Sequence, residues 1–304
     1  MRRKHIYLFC LTLLILGCLT VKVQFVGVVG AEEPVAHYKF EGNLEDETGN
    51  YGQAQIIGEE IGPSVGEVTD KTGKEYGSIN FTDGWQGQAA NFDGSSGLLL
   101  PEDLISDDTY TVTLWAKPEE INPLSPLFFG GYGDQENISL VPNGPIGDTM
   151  VWSKAAWYYA NTEMTIPKKQ WTHLAFSVDK GEISVYINGK EMYNDTDFPE
   201  LFAGLSEVVF ALGVDWWNSP YKGQIDELRI YDSVVAAKRV AEMAEGAPEI
   251  GQEEEPEFGE VGVHDPMVTE DNGTFYVFGS HLASAKSEDL LDWEQISSRV
   301  ANNN

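Results

Sequence analysis

The chain has 304 residues with 49 acidic and 19 basic side chains, a formal net charge of −30. Such a surface repels nucleic acid and anionic lipid headgroups, which excludes both as partners and leaves neutral polysaccharides and divalent cations compatible. A composition 42% hydrophobic with 31 glycines is globular and turn-rich, and the length suits one large domain or two ordinary ones.

The first 31 residues read as an export signal. A basic "MRRKH" precedes the apolar "IYLFCLTLLILGCLT", and small residues at "VVGA" place cleavage after Ala31. The only two cysteines, Cys10 and Cys18, leave with this segment, so the mature chain has no disulfide and no cysteine metal ligand. "LILGC" approaches a lipoprotein cleavage box, but Leu16 is large for it. Plain secretion, without a lipid on Cys18 and without a membrane segment, is therefore expected.

Short alternating runs then recur from Val35 to Tyr231. "QAANFDG" and "GLLLP" read as strands. "YTVTLWAK" puts Tyr110, Val112, Leu114 and Ala116 on one face, with Thr111, Thr113 and Lys117 on the other. "THLAFSVD" alternates likewise. "EISVYINGKEMY" turns at Asn188-Gly189 as a hairpin does, and "EVVFALG" and "GQIDELRIYD" complete the set. Many short strands with little helix predict an all-β, two-sheet antiparallel jelly-roll sandwich over residues 33–246. "SVVAAKRVAEMAEG" is the one helical segment. "APEIGQEEEPEFGE" follows with six glutamates, two prolines and no basic residue, a solvated linker over 247–260.

Two groups of residues in the sandwich carry chemistry. Asp226 in "QIDELRIY" shares strand parity with Leu228 and Ile230, so it is expected among apolar side chains, where a carboxylate needs a cation or several donors. Glu41, Asn43, Asp46 and Asn50 cluster in "FEGNLEDETGN" and offer the hard oxygen ligands that Ca²⁺ prefers. The competing reading satisfies Asp226 with Arg229 or backbone N–H groups. Aromatics form the other group: Trp152, Trp157, Tyr158 and Tyr159 crowd one stretch, Trp216, Trp217 and Tyr221 another. Indole and phenol rings beside Asn- and Gly-rich loops suit the apolar faces of sugars. The alternative is that half of them fill the core, as Trp115 and Trp171 would.

The runs "VAHYKFEGNLEDETGN", "AANFDGSSGLLLP", "YTVTLWAKP", "QWTHLAFSVDKGEISVYINGKEM" and "YKGQIDELRIYDSVVAAKRV" together resemble the laminin-G-like, concanavalin-type jelly roll. That resemblance implies the sandwich, and a structural Ca²⁺ with Glu41, Asn43 and Asp226 among its ligands. It implies no catalytic activity. Trp152, Trp157, Tyr159, Trp216 and Trp217 remain the residues expected to bind a plant cell-wall polysaccharide or oligosaccharide.

The last stretch differs. "VHDPMV", "GTFYVFGSH", "LASAKSEDLLDW" and "EQIS" resemble the start of glycoside hydrolase family 43, the five-bladed propellers that release arabinose or xylose units, with the arabinan-cleaving branch favoured. Asp265 precedes Pro266, which favours an extended strand start, and Asn272-Gly273 closes a hairpin. The resemblance makes Asp265 the general base of an inverting displacement, which also needs a carboxylic acid across the scissile bond. Residues 261–304 hold one blade, and a propeller needs at least four. The chain is thus expected to be the N-terminal part of a secreted arabinan or xylan side-chain hydrolase, inactive by itself. Two alternatives stay open: a non-catalytic polysaccharide-binding module with a vestigial blade, and an adhesion module for host or matrix glycans.

Overall fold

The computed structural model describes residues 32–62, 78–205, 208–250, 266–279, 283–288 and 293–297. The export segment with Cys18, most of the acidic stretch and Asp265 lie outside them. Contacts part the chain into residues 1–32 and residues 33–304.

Two antiparallel sheets form the sandwich, as the alternation predicts. The first has eight strands, in the hydrogen-bonded order Lys190–Asp195, Glu182–Ile187, Thr172–Asp179, Thr109–Pro118, Lys222–Tyr231, Gln88–Asp93 and Asn80–Asp83, with Ala36–Tyr38 also paired to Lys222–Tyr231. The second has seven, in the order Tyr158–Asn161, Met150–Ser153, Asn137–Val141, Phe128–Gly131, Val209–Leu212, Gly97–Leu100 and Gln55–Ile57. Val112, Leu114, Leu174, Phe176, Val185, Ile225 and Ile230 of the first sheet meet Phe128, Leu140, Val151, Phe210 and Leu212 of the second in one core. Edge-on aromatic pairs such as Tyr110 with Phe176, centroids 6.1 Å apart, fill it. The hairpin at Asn188-Gly189 forms as expected, both residues holding the positive φ that such a two-residue turn requires.

Both sheets are covered on their outer faces too. The helix Ala237–Met243, shorter than its apolar pattern, lays Val240 on Ala175, Tyr186 and Tyr231 of the eight-stranded sheet and on Val235 of the connection that precedes the helix. The sandwich also extends past its expected end at residue 246. The Pro248 carbonyl accepts from Asn188 Nδ2 at 2.9 Å, that of Glu249 from Gln170 Nε2 at 3.2 Å, and Ile250 packs against the core. The first residues of the acidic stretch are therefore a strap, because their backbone carbonyls and one isoleucine have partners that composition does not reveal.

A separate four-stranded antiparallel sheet follows, in the order Met267–Asp271, Thr274–Phe278, Ser284–Ser287 and Trp293–Ser297. Asn272 and Gly273 close its first hairpin with positive φ, as the sequence requires.

Candidate functional site

Three parts of the chain bring Trp152, Trp157, Tyr159, Trp216 and Trp217 to the outer face of the seven-stranded sheet, whereas Tyr221 lies in the core between the sheets and Tyr158 packs against it. Register alone sets one cross-strand row there: Tyr159, Trp152, Ser139, Phe129, Ala211, Leu99 and Gln55 stand opposite one another in turn. Trp216, in the loop after Val209–Leu212, packs edge-on against Phe129 with centroids 4.9 Å apart, and Trp217 lies 5.5 Å from Trp216. Asp215 holds that loop, its carboxylate accepting from the backbone N–H groups of Trp217 at 2.8 Å and Asn218 at 2.7 Å.

The hairpin tip Lys154–Trp157 completes the face. Lys154 Nζ sits 4.6 Å from the Trp217 ring centroid and 2.6 Å from Asp134 Oδ1, so one ammonium ties the two aromatic groups together. Its hydrogen bond, followed by that of Gln135, lowers the Asp134 pKa below the usual carboxylate range. Ala156 and Trp157 both hold left-handed backbone, at φ 55° and 52°, a cost that concentrates at functional sites. That conformation leaves Trp157 58% exposed; Trp217 is 41% exposed, while Trp152 and Trp216 are buried.

Beneath the rings lies a set of unused hydrogen-bonding atoms. Trp152 Nε1, Trp216 Nε1, Ser139 Oγ and Asn137 Oδ1 are buried without a partner among the described residues. The Asn137 amide nitrogen, by contrast, donates to the carbonyls of Gly133 and Asp134. An unsatisfied buried polar group costs about 1–3 kcal/mol. Two N–H donors, a hydroxyl and an amide oxygen on one aromatic face form a set that ligand hydroxyls can satisfy. Of these, Ser139 and Asn137 escaped the sequence reading, although in "NISLV" they alternate with the core residues Ile138 and Leu140.

Asp226 requires a correction. Its strand is bulged between Asp226 and Arg229, and Glu227 takes a positive φ of 51°. The extra residue breaks the parity, so Asp226 stands opposite Trp115 on the outer face, not beside Leu228 and Ile230. Trp115 is fully buried but on that outer face, not between the sheets; it stacks on Trp85 with centroids 3.7 Å apart. Arg229 pairs with Glu227, which also binds His37 Nε2 at 2.9 Å. Asp226 instead accepts from the Gln86 N–H at 2.9 Å through Oδ2, and its Oδ1 is buried and unpartnered among the described residues. Burial, aided by the nearby Glu227 charge and opposed by the Gln86 bond, raises its pKa to about 7.

The expected calcium ligands divide. Gly84 and Gly87 are hydrogen-bonded across one tight turn, and a Cβ on Gly84 would strike Asp226 Oδ2 while one on Gly87 would strike the Glu41 carboxylate. Two carboxylates thus close on one glycine turn, with one oxygen orphaned, which fits a hard cation. The Asn43 Oδ1 accepts the Glu45 N–H at 2.8 Å. Asp46 is taken up by the N–H groups of His37, Thr48, Asn50 and Tyr51. No group of three His, Cys, Asp or Glu gathers among the described residues, so further ligands would come from main-chain or amide oxygens.

The concanavalin A-like lectin/glucanases superfamily, laminin-G type, matches residues 92–241. Domain 4 of AbnA, a GH43 extracellular arabinanase from Geobacillus stearothermophilus solved in complex with arabinotriose, is 44% identical with a TM-score of 0.65; the match covers 71% of this chain and 100% of that one. The extracellular endo-α-(1→5)-L-arabinanase 2 of Bacillus subtilis strain 168 is 63% identical over 51 residues. An extracellular endo-α-(1→5)-L-arabinanase of Thermotoga petrophila is 44% identical over 52 residues. Each of these two matches takes in 17% of this chain, and the chain covers 11% of either relative's length.

Proposed function

Because the chain belongs to the concanavalin A-like lectin/glucanases superfamily, we propose that its sandwich binds arabinan oligosaccharides, as the accessory N-terminal part of an extracellular arabinan hydrolase. The observation that carries this is the aromatic face of the seven-stranded sheet with its four unpartnered polar atoms. It supports a neutral, ring-shaped, hydroxyl-rich ligand, and the relative of 44% identity was solved with arabinotriose. Sugar faces stack on the exposed Trp157 and Trp217, with hydroxyls directed at the polar atoms of the same face. The named extracellular relatives support export, with residues 1–31 as the signal.

The test is calorimetric titration of arabinotriose into the chain. Trp217→Ala and Trp157→Ala should each weaken binding about thirty-fold, the loss of a contact of roughly 2 kcal/mol, with an unchanged circular dichroism spectrum. Normal affinity in both variants would remove the site from this face.

The hydrolase half of the proposal rests on the four-stranded sheet. Met267, Val268, Phe278 and Ile296 are all exposed on it, the kind of apolar surface that adjoining propeller blades cover. Asp265, just before its first strand, is the proposed general base. It would take a proton from water while a second carboxylic acid, on another blade, protonates the leaving oxygen, which inverts the anomeric centre.

A Ca²⁺ held by Asp226 and Glu41 would neutralise the orphaned carboxylate and tie the Gly84–Gln88 turn to both acids. At pH 8, adding calcium should raise the melting temperature of wild type by several degrees, and Asp226→Asn should not respond. Identical wild-type melting curves in calcium and in chelator would remove the metal.

A further inference from the structure

A second site lies on the outer face of the eight-stranded sheet. Asn91, Gln224 and Lys117 are cross-strand neighbours there, Gln224 standing opposite each of the other two. With Pro118, Glu119, Lys169 and Gly223 they line a cleft of about 330 Å³, at the small end of the range of roughly 300–1,000 Å³ typical of ligand sites. Gly223 lines it without a side chain: at φ 145° a Cβ there would come within 2.5 Å of the Lys117 carbonyl and 2.6 Å of the Tyr221 hydroxyl. Lys169 is held over the opening by its own left-handed backbone, φ 59°, and by its N–H bond to the Pro118 carbonyl at 2.6 Å.

The charges are unusual for this chain. Acids outnumber bases by more than two to one, yet neither Lys117 nor Lys169 meets a carboxylate among the described residues. Lys117 rests instead 5.8 Å from the Trp171 ring centroid. The one acid in the lining, Glu119, lies 4.0 Å from Lys222, which also binds Glu120 at 2.5 Å. Two ammonium groups without a carboxylate partner among the described residues therefore point to an anion. The Gln224 Nε2 is spent on Thr82 Oγ1 and the Asp83 carbonyl, leaving its Oε1 to accept hydroxyl protons, a bond open to a hydroxylated ligand but not to an anion without O–H groups.

We propose that this cleft binds a carboxylated sugar, a uronate, with Lys117 and Lys169 on the carboxylate and with Asn91 and Gln224 on ring hydroxyls. The site is independent of the aromatic face, and a polymer carrying both neutral and acidic sugars would engage the two sheets separately.

The experiment titrates the full chain with trigalacturonate, neutral trigalactose, inorganic phosphate and arabinotriose. Trigalacturonate should bind with Kd of about 1 mM or tighter, weaken several-fold from low to high ionic strength, and lose at least tenfold in K117Q/K169Q. Trigalactose and phosphate should bind far more weakly. Arabinotriose affinity should be the same in wild type and K117Q/K169Q, which separates failure here from failure of the aromatic site. Equal binding of phosphate and trigalacturonate would overturn the sugar assignment. No trigalacturonate binding, or binding indifferent to K117Q/K169Q, would overturn the site itself.

Discussion

In metal-free buffer, the stability of wild type is expected to be nearly flat between about pH 4 and 6.5, while Asp226→Asn and His173→Leu tilt it in opposite directions. Asp226 and His173 stand on either side of Trp115 in the same cross-strand row. Both are fully buried. Asp226 has a folded pKa of about 7 against an ordinary 3.8. The folded state therefore holds a proton that the unfolded state releases, and stability falls by about 1.4 kcal/mol per unit as pH rises through that window. His173 is the reverse. Both ring nitrogens lack a partner among the described residues, and burial, with the Arg229 charge nearby, lowers its pKa from 6.5 to about 3. There the unfolded state binds the extra proton, so stability is lost as pH falls below about 6.5. The opposing slopes cancel where they overlap. Asp226→Asn leaves the histidine slope alone and should make the sandwich acid-labile by up to about 3 kcal/mol. His173→Leu should make it more stable in acid than at neutrality by a similar amount. Denaturant titrations from pH 4 to 8 decide it: parallel curves for the three proteins would mean that neither group titrates with folding.

The second large effect concerns activity. The 304-residue chain should release no arabinose from arabinan, and in a longer protein that continues with further blades Asp265→Asn should abolish turnover. A general base contributes typically 10²–10⁴-fold, and an amide cannot accept the proton of the attacking water. Arabinotriose binding by the sandwich should be untouched in that variant. Reducing-sugar assays on both proteins check this. Release by the short chain would show that no further blade is needed, and near-normal turnover by the variant would show that Asp265 is not the base.

Much of the fold was legible because it depends on local rules. Alternating residues such as Val112 and Leu114 face the core as their parity requires, and Asn188-Gly189 and Asn272-Gly273 turn where their positive φ allows. The aromatic site was half legible. Trp152 and Tyr159 announce themselves by type, but their meeting with Trp216 depends on strand register across Ser139 and Phe129, which no local pattern encodes. Asp226 was misplaced because one residue in left-handed conformation, Glu227, reverses every face after it. The lysine cleft was invisible: positions 91, 117, 169 and 224 have nothing in common until four separate segments converge.

The strap at Pro248–Ile250 fixes where the polypeptide departs from the sandwich. Its anchors, Gln170 just before Thr172–Asp179 and Asn188 just after Glu182–Ile187, stand at one end of two neighbouring strands of the eight-stranded sheet, so residues 248–250 are tied to that layer and not to the sheet that carries Trp152. The same anchoring argues for ending an excised domain no earlier than Ile250, since a cut at Gly246 would strip two hydrogen-bonded carbonyls and an apolar plug from that edge.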